Sequence, residues 1–280
     1  MNTSKIAGSP QRSWSSIASF LQFWLTTSPL SSPEKQTFEK YYTSYRRRFS
    51  PYIQHHFSEQ TREVSAAIRS SPSPRLLEVG AGCGTESLWF GLLGADVTAI
   101  DLAPDRLGVA RARKEWMREN LDIHLRVNFQ ESSIFDFHPA QEFDIIWMEQ
   151  TFHHLEPREK VYPKLFALLK PGGTLIISEA NAWNPFLQLQ LFLRRGFKTK
   201  TFFIDKNGQR IEYGNERITV PFALRSGLRN AGFDVTSIRS FRLLPNVNTP
   251  AAWLKVERAV LKFFPFLSTH FNLVAYKPVK

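Results

Sequence analysis

The chain of 280 residues has 42% hydrophobic and 22% charged residues, a balance typical of a globular protein, which excludes an intrinsically disordered one. Its formal net charge of +11 suits an anionic partner such as nucleic acid, an acidic membrane face or a phosphorylated substrate, and serves solubility equally well. The single cysteine, Cys83, excludes an intramolecular disulfide framework and a multi-cysteine zinc site.

Residues 1–33 are predicted to form a loose leader with one apolar segment, because Ser, Thr and Pro are frequent on both sides of it. The apolar segment, residues 17–25, is far shorter than the roughly 20 residues that cross a bilayer. It also lacks the pattern of a secretory signal. We interpret it as a short amphipathic or buried helix and expect a cytoplasmic protein, with peripheral membrane contact left open.

Residues 34–74 are predicted to form an N-terminal helical cap. Aromatic residues recur there at intervals of three and four, as one face of a helix requires: Phe38, Tyr41, Tyr42 and Tyr45. Pro51 ends this run, and a second helix is expected over residues 52–68. The sequence SSPSP at 70–74 is typical of a linker.

From residue 75 onward, segments typical of strands alternate with segments typical of helices. The predicted strands are 76–80, 96–101, 124–130, 143–148, 174–180, 234–244 and 272–278, and the predicted helices are 85–93, 103–120, 158–169, 221–233 and 253–264. Such alternation predicts βαβ units and hence an α/β fold with a parallel sheet. An aromatic and basic insertion, residues 184–219, interrupts the alternation.

A glycine-rich loop carries the main functional signal. Gly80, Gly82 and Gly84 follow a strand and precede a helix, so the backbone can turn tightly and approach a ligand, and the N–H groups of the helix start attract a negative group. Asp101 ends the next strand, 21 residues after Gly80, where a carboxylate can accept hydrogen bonds from ribose hydroxyls. Glu78 precedes the glycines and would face a cationic group rather than a pyrophosphate.

Four segments of the chain resemble the Rossmann-like, class I S-adenosylmethionine-dependent methyltransferases of the small-molecule type: LLEVGAGCGTES, VTAIDLAP, FDIIWMEQTFHHL and LLKPGGTLIISEA. The resemblance is strong over residues 75–180 and weak over residues 220–280. It implies a doubly wound, mostly parallel sheet of seven strands in a methyltransferase domain at 75–280, with the helical cap before it and residues 184–219 as a lid insertion. It also implies S-adenosylmethionine as the cofactor.

The same resemblance implies which residues hold that cofactor. The loop cradles its methionine part, which assigns Gly80, Ala81, Gly82 and Gly84. Glu78 would order the amino end, Asp101 would hold the ribose, and Leu102 would pack on the adenine.

One position departs from the family pattern. Many members carry Gly-Asp-Ala after the third strand, and the Asp binds the adenine amino group, whereas this chain has Ser133 in the matching register. Ile134 would present a backbone N–H, and Asp136 is a competing candidate in the same loop.

A nicotinamide-dependent dehydrogenase is the alternative interpretation of the glycine loop. Its G-x-G-x-x-G fingerprint requires a glycine at position 85, where this chain has Thr85. The segment LLKPGG before the fifth strand has no counterpart in those enzymes, so the methyltransferase is favoured.

The catalytic candidates follow the fourth strand, at the end of the sheet where open α/β folds bind ligands. Methyl transfer from a sulfonium needs proximity, alignment and removal of a proton from the acceptor. We name His153, His154 and Glu149 as candidates, although either histidine suits a structural role and Glu149, like Gln150, suits a place beside the methyl donor. Glu179 is a further candidate for substrate contact.

Cys83 and the remaining histidines are expected to be structural. Nothing in the sequence lowers the pKa of the Cys83 thiol, so we interpret it as a small loop residue. His55, His56 and the other histidines lack the spacing of metal ligands, and no metal site is predicted.

Two flanking segments are expected to cover the acceptor site, the helical cap and the lid insertion. Their apolar residues would line two walls: Tyr41, Tyr42, Tyr45 and Phe49 on one side, and Phe186, Leu187, Leu189, Leu191, Phe192, Leu193, Phe197, Phe202 and Phe203 on the other. Arg194, Arg195, Lys198 and Lys200 would form a basic rim. Such a pocket suits a lipid-like acceptor, although the aromatic residues suit packing of the lid on the sheet equally well. Residues 256–267 are also basic and apolar, and would contact a membrane or cover the sheet.

We therefore expect a methyltransferase that acts on an oxygen or carbon atom of a small or amphiphilic acceptor. An RNA or protein methyltransferase is one alternative, since Arg46–Arg48 lie beside tyrosines, but the basic residues are scattered and no separate RNA-binding module is visible, which disfavours a nucleic acid partner. A cofactor-binding protein without catalysis is the other alternative.

Overall fold

The computed structural model describes residues 14–27, 29–204, 208, 210–245 and 248–279. Residues 1–13 of the predicted leader lie outside this set. Among the described residues, five helices precede the sheet: α1 (Ile17–Thr27), α2 (Glu34–Tyr41), α3 (Thr43–Arg48), α4 (Pro51–Gln60) and α5 (Arg62–Arg69). The helix expected over residues 52–68 is therefore divided at Thr61.

Helix α1 packs against the protein and so differs from the loose leader predicted for residues 1–33. Phe20, Leu21 and Trp24 on this helix are fully buried, in agreement with the interpretation of the apolar segment as a buried helix. Trp24 packs under the guanidinium of Arg113, 4.6 Å from the ring centroid. The division of the chain into leader, cap and methyltransferase domain otherwise stays a prediction.

Within the described residues, nine strands form one large sheet and one hairpin. In chain order they are β1 (Arg75–Val79), β2 (Asp96–Asp101), β3 (Val127–Glu131), β4 (Phe143–Glu149), β5 (Leu169–Ala180), β6 (Lys200–Ile204), β7 (Arg210–Gly214), β8 (Asp234–Phe241) and β9 (His270–Tyr276). The large sheet has the order β3-β2-β1-β4-β5-β9-β8, and β6 pairs with β7 in the hairpin. Strands β1 to β5 are parallel to their neighbours within that set, and β9 runs antiparallel to β5 and β8. The predicted doubly wound, mostly parallel sheet of seven strands is confirmed.

The part of the chain that the structure describes has six further helices, which flank the sheet or follow its strands: α6 (Thr85–Leu92), α7 (Pro104–Leu121), α8 (Arg158–Leu168), α9 (Pro185–Arg195), α10 (Pro221–Asn230) and α11 (Trp253–Phe263). The helix predicted over residues 158–169 is confirmed as α8. Phe152–His154 form one 3₁₀ turn, and α8 begins only at Arg158. No helix within the described ranges is long and apolar enough to cross a membrane.

The core lies on both faces of the sheet because successive side chains of a strand point to opposite faces. Ile145 and Trp147 of β4 belong to the apolar cluster shared with α1, α6 and α7. Ile146 and Met148 belong to the cluster shared with α8 and α10. Since β4 is buried on both faces, its carboxyl end is held rigidly, which is where the site lies.

Candidate active site

The polar candidates converge on one edge of the sheet. The glycine loop follows β1, Asp101 ends β2, Glu149 ends β4 and Glu179 lies near the end of β5. These four strands are parallel neighbours and the strand order reverses between β1 and β4, so their carboxyl ends form the crevice where open α/β sheets bind ligands.

The loop requires its glycines for two independent reasons. Gly80, Gly82 and Gly84 have φ angles of 85°, 51° and 73°, in the left-handed region that L side chains avoid. A Cβ at Gly80 would also collide with Thr151 Oγ1, and one at Gly82 would collide with the hydroxyl oxygen of Tyr41. The loop is therefore packed between the end of β4 and the helical cap.

Asp101 is fixed by the loop that it faces. Its Oδ2 accepts a hydrogen bond from the Gly82 N–H at 2.8 Å, and its Oδ1 accepts one from the Ala103 N–H at 2.8 Å. Ala81 lies buried within the loop. Leu102 leaves 47% of its surface exposed beside the carboxylate, as a residue that packs on a flat ligand would.

The loop after β3 lies next to this carboxylate. Ser132 N–H donates to the Asp101 carbonyl at 3.1 Å, which places the following residues beside the site. The hydroxyl oxygen of Ser133 accepts from the Phe135 N–H at 3.2 Å, and the Ile134 side chain is buried. The Asp136 N–H donates to the Ser133 carbonyl at 3.2 Å, so the competing candidates belong to one turn. The assignment of Ser133 or Asp136 to the adenine stays a prediction.

Three carboxyl groups, of which Glu78 is buried and Glu86 and Glu149 are half-buried, make the site suited to a cation. Burial and the neighbouring Glu86 carboxyl raise the pKa of Glu78 well above its ordinary value, although the Ser87 hydroxyl donates to it. Burial also raises the pKa of Glu86 to about 6. Burial, Glu86 and Glu179 raise the pKa of Glu149 to about 8. A positive group placed among these carboxyls would restore their ionisation, so the site favours a cationic ligand.

His153 is held by a buried carboxylate. Its Nδ1 lies 2.7 Å from Glu179 Oε2, and the Phe152 N–H donates to Glu179 Oε1 at 2.7 Å. Burial alone would lower the pKa of His153, but Glu179 raises it above its ordinary value. The pKa of Glu179 is lowered by His153 in spite of its burial, so Glu179 is an ionised carboxylate that accepts a hydrogen bond from the Nδ1–H group of His153.

His154 faces the lid insertion instead. Its Nδ1 donates to the Gly214 carbonyl at 2.9 Å, and its ring stacks on Tyr213 at a centroid distance of 4.5 Å. Burial and the neighbouring His153 lower its pKa. The hairpin of the insertion thus lies directly on the histidine turn, and a structural role for His154 agrees with these contacts.

The prediction of no metal site stays a prediction. Within the described ranges, His153, His154 and Glu216 bring ligand atoms within 4.8 Å of one another. The Nδ1 atoms of both histidines are occupied by Glu179 and the Gly214 carbonyl, respectively.

The predicted apolar walls are corrected in part. Tyr41 reaches the glycine loop, but Tyr42 is in the core, where its hydroxyl lies 2.6 Å from Thr85 Oγ1. Tyr45 packs edge-to-face with Phe49. In helix α9 only Leu191 is buried, because the helix turns most of its apolar side chains to solvent. Large exposed fractions are found at Phe186, Leu189, Phe192, Leu193, Phe197, Phe202 and Phe203.

Burial confirms the structural interpretation of Cys83. The side chain is fully buried, and burial raises the pKa of the thiol to about 12. Its carbonyl accepts from Arg113 Nη1 at 2.7 Å, and the same nitrogen donates to Thr85 Oγ1 at 2.8 Å. The loop is thereby tied to α7.

Sequence reasoning missed four contributors to the site: Thr151, Tyr213, Gln60 and Glu86. Thr151 packs on Gly80, Tyr213 stacks on His154, and Gln60 of the cap donates a side-chain hydrogen bond to Glu149. The collision at Gly80 is specific to the fold, and no local pattern marks Tyr213 or Gln60. Glu86 had a usable signal, since it is an acidic residue in the first turn after a glycine loop.

The chain matches the family model described as a methyltransferase domain over residues 77–175. It is 36% identical over 118 residues to a ubiquinone biosynthesis O-methyltransferase of Xanthomonas campestris pv. campestris, covering 41% of this chain and 47% of the relative. It is 28% identical over 127 residues to a demethylmenaquinone methyltransferase of Streptomyces griseus, covering 45% of this chain and 51% of the relative. The chain thus spans about half the length of the curated relatives it matches.

A solved structure resembles this chain in fold over a larger part of its length than the curated relatives match in sequence. The putative sarcosine dimethylglycine methyltransferase from Galdieria sulphuraria superimposes with a TM-score of 0.54 at 14% identity, covering 79% of this chain and 84% of that chain. At this identity the likeness shows the fold alone.

Proposed function

We propose that this chain, which belongs to the Rossmann-like, class I S-adenosylmethionine-dependent methyltransferases, transfers a methyl group to an oxygen or carbon atom of a small or amphiphilic acceptor. One observation carries the proposal. The glycine loop and the His153 turn meet through the contact of Thr151 with Gly80, so a cation-binding crevice and a carboxylate-held histidine lie side by side.

The residues present fit the family's cofactor. Bound S-adenosylmethionine supplies an electrophilic methyl group on a positively charged sulfur. The crowded carboxyls of Glu78, Glu86 and Glu149 favour positive charge, and Asp101 is positioned to accept hydrogen bonds from ribose hydroxyls. The glycines leave room for close approach of the backbone.

His153 is the proposed general base. Since its Nδ1 donates to Glu179, its Nε2 is the atom that can take a proton from the acceptor. Glu179 is a positioning residue, because it fixes the ring and stabilises the imidazolium that forms when the proton is taken. Glu149 is assigned to the cofactor and His154 to the support of the lid.

The relatives support an amphiphilic acceptor. The names of both curated relatives refer to quinones, and the first of them is an O-methyltransferase. An acceptor of this kind partitions into bilayers, so the proposal includes peripheral contact of the protein with a membrane from the cytoplasm.

The test is transfer of labelled methyl from S-adenosylmethionine into a cell extract that is then separated into lipid, polar small-molecule, nucleic acid and protein fractions. We expect label in the lipid fraction with the wild-type chain and much less label there with Asp101→Ala. Label in nucleic acid or protein would overturn the proposed acceptor. Absence of label from every fraction would favour the alternative of a cofactor-binding protein without catalysis.

A further inference from the structure

We propose that two neighbouring surface segments form a docking platform for an anionic lipid surface. The apolar platform consists of Phe186, Leu189 and Leu193 on α9 and of Phe263, Phe264 and Phe266 at the end of α11. The inference rests on the proposed function, because the lipid surface is where an amphiphilic acceptor would be found. Binding to lipid can nevertheless be measured without methyl transfer.

Helix α9 has apolar side chains on the face that it turns to solvent. Phe186, Leu189 and Leu193 follow each other at intervals of three and four, so they share one face of the helix. Their exposed fractions are 73%, 57% and 76%. Leu191 on another face is buried and holds the helix to the protein. A contiguous apolar face of this kind on the exposed surface of a protein marks a binding surface.

Helix α11 lies on the surface with a single buried residue, Glu257. This is the only acidic residue of the helix, and its carboxylate is directed inward to His56 Nε2 at 2.9 Å. The outer surface therefore carries only basic charges, from Lys255, Arg258 and Lys262. The helix is followed by Phe263, Phe264 and Phe266, which are 71%, 51% and 42% exposed.

Hydrogen bonds join the two segments. Asn184, which caps the start of α9, donates from Nδ2 to the Leu267 carbonyl at 2.6 Å. Asn181 Nδ2 donates to the Ser268 carbonyl at 3.1 Å. Because residues 265–267 form the turn directly after α11, the start of α9 and the aromatic end of α11 belong to one region of the surface.

The charge around the platform selects its occupant. No Asp or Glu occurs between Ala180 and Ile204, whereas Arg194, Arg195, Lys198 and Lys200 do. Apolar residues that enter the acyl boundary beside basic residues that meet anionic headgroups are the pattern of an interfacial helix. A second copy of the chain would bring like charges together on this face, which opposes self-association.

The experiment measures binding of the full chain to vesicles of phosphatidylcholine alone and of equimolar phosphatidylcholine and phosphatidylglycerol, by flotation. The apolar variant is Phe186→Ser/Leu189→Ser/Leu193→Ser, and its control, Val279→Ser, removes a 76% exposed side chain that packs near Gly172, at the opposite end of β5. The charge variant is Lys255→Gln/Arg258→Gln/Lys262→Gln. Its control, Lys35→Gln/Lys40→Gln/Arg47→Gln, removes the same charge from α2 and α3, of which α2 packs on α7.

We expect tight binding of the wild type to the anionic vesicles only. The charge variant should bind them about a hundredfold more weakly and the apolar variant about tenfold or more, with both controls unchanged. S-adenosylmethionine binding, measured by calorimetry, should be equal in all five proteins, which shows that the variants fold. Equal binding of the wild type to neutral vesicles, or a dimer that the apolar variant dissociates, would overturn the proposal, whatever the outcome of the methyl-transfer assay.

Discussion

The hydroxyl group of Tyr41 lies against Gly82, so closely that a Cβ at that glycine would collide with it. Tyr41 is the last residue of α2, which brings the helical cap into contact with the glycine loop of the sheet. On the other side, Tyr213 of the hairpin stacks on His154. The candidate site is therefore assembled from the sheet, the cap and the lid insertion.

Substitution Gly82→Ala is expected to weaken S-adenosylmethionine binding at least about tenfold, because the new Cβ is strained at a φ of 51° and displaces Tyr41 from the loop. Calorimetric titration measures the change. The matched control is Gly94→Ala, which has a φ of 100° and no atom within 4 Å of its Cβ. It should lower the free energy of unfolding by about 1 kcal/mol and leave the affinity unchanged. Equal loss of affinity in both variants would contradict a specific role of the Tyr41 contact.

Substitution Asp101→Ala is expected to reduce S-adenosylmethionine affinity sharply, by about a hundredfold, since it removes a charged hydrogen-bond acceptor and frees the Gly82 N–H that holds the loop. The control is Asp96→Ala, at the exposed amino end of the same strand, far from the loop. Unchanged affinity of Asp101→Ala in calorimetry would show that the cofactor residues are wrongly assigned.

The sequence was sufficient to predict the sheet and the loop because their signals are local. Alternation of strands and helices predicted a parallel sheet, and the glycines with Asp101 lie within one βαβ unit. Contacts made over long distances along the chain were not predictable. Tyr213 reaches His154 from the insertion, far away along the chain. Helix α9 has apolar residues on several faces, so its sequence does not specify which face packs against the protein.

S-adenosylmethionine affinity is expected to rise with pH through the titration of Glu149, whose pKa is raised to about 8 mainly by burial. The sign follows from charge, since the deprotonated carboxylate attracts the sulfonium and the protonated one does not. Affinity measured between about pH 7 and 9 should rise by up to about tenfold per pH unit. S-adenosylhomocysteine, which lacks the sulfonium charge, should show a shallower dependence.

The variant Glu149→Gln supplies the control for this titration. Its affinity for S-adenosylmethionine should be low. That affinity should also lack the rise with pH that the titration of Glu149 causes in the wild type. Because the folded protein holds the Glu149 proton up to about pH 8, and the unfolded chain loses it near the ordinary value of 4.5, stability of the free wild type falls as pH rises between these values. The variant should therefore melt at a higher temperature than the wild type above about pH 8. A lower melting temperature there would contradict the raised pKa assigned to Glu149.

Substitution His153→Ala is expected to lower kcat about a hundredfold or more while the dissociation constant of S-adenosylmethionine stays the same. In the wild type, kcat/KM should rise with pH as His153 loses its proton, with an apparent pKa above its ordinary value of 6.5. Glu179→Gln removes the carboxylate that raises this pKa, so the acidic limb of the profile should move to lower pH and the rate should fall. An equally large loss in His154→Ala, or an unmoved profile in Glu179→Gln, would refute the assignment of the base.

Substitution Glu257→Gln is expected to destabilise the protein by about 3 kcal/mol, because the buried carboxylate joins α11 to Tyr52 and His56 of α4 and accepts from the Leu243 N–H at 2.8 Å. These hydrogen bonds lower the pKa of Glu257 in spite of its burial. Its contribution is therefore present above the ordinary carboxyl pKa of the unfolded chain and is lost as pH falls through the lowered value. Denaturant unfolding should show that the difference in the free energy of unfolding between the variant and the wild type is smaller at acidic pH than at neutral pH.

The control is the exposed Glu115→Gln, which breaks only a surface pair with Arg118 and should change the free energy of unfolding by less than about 1 kcal/mol. A comparable loss in both variants would contradict the role given to Glu257.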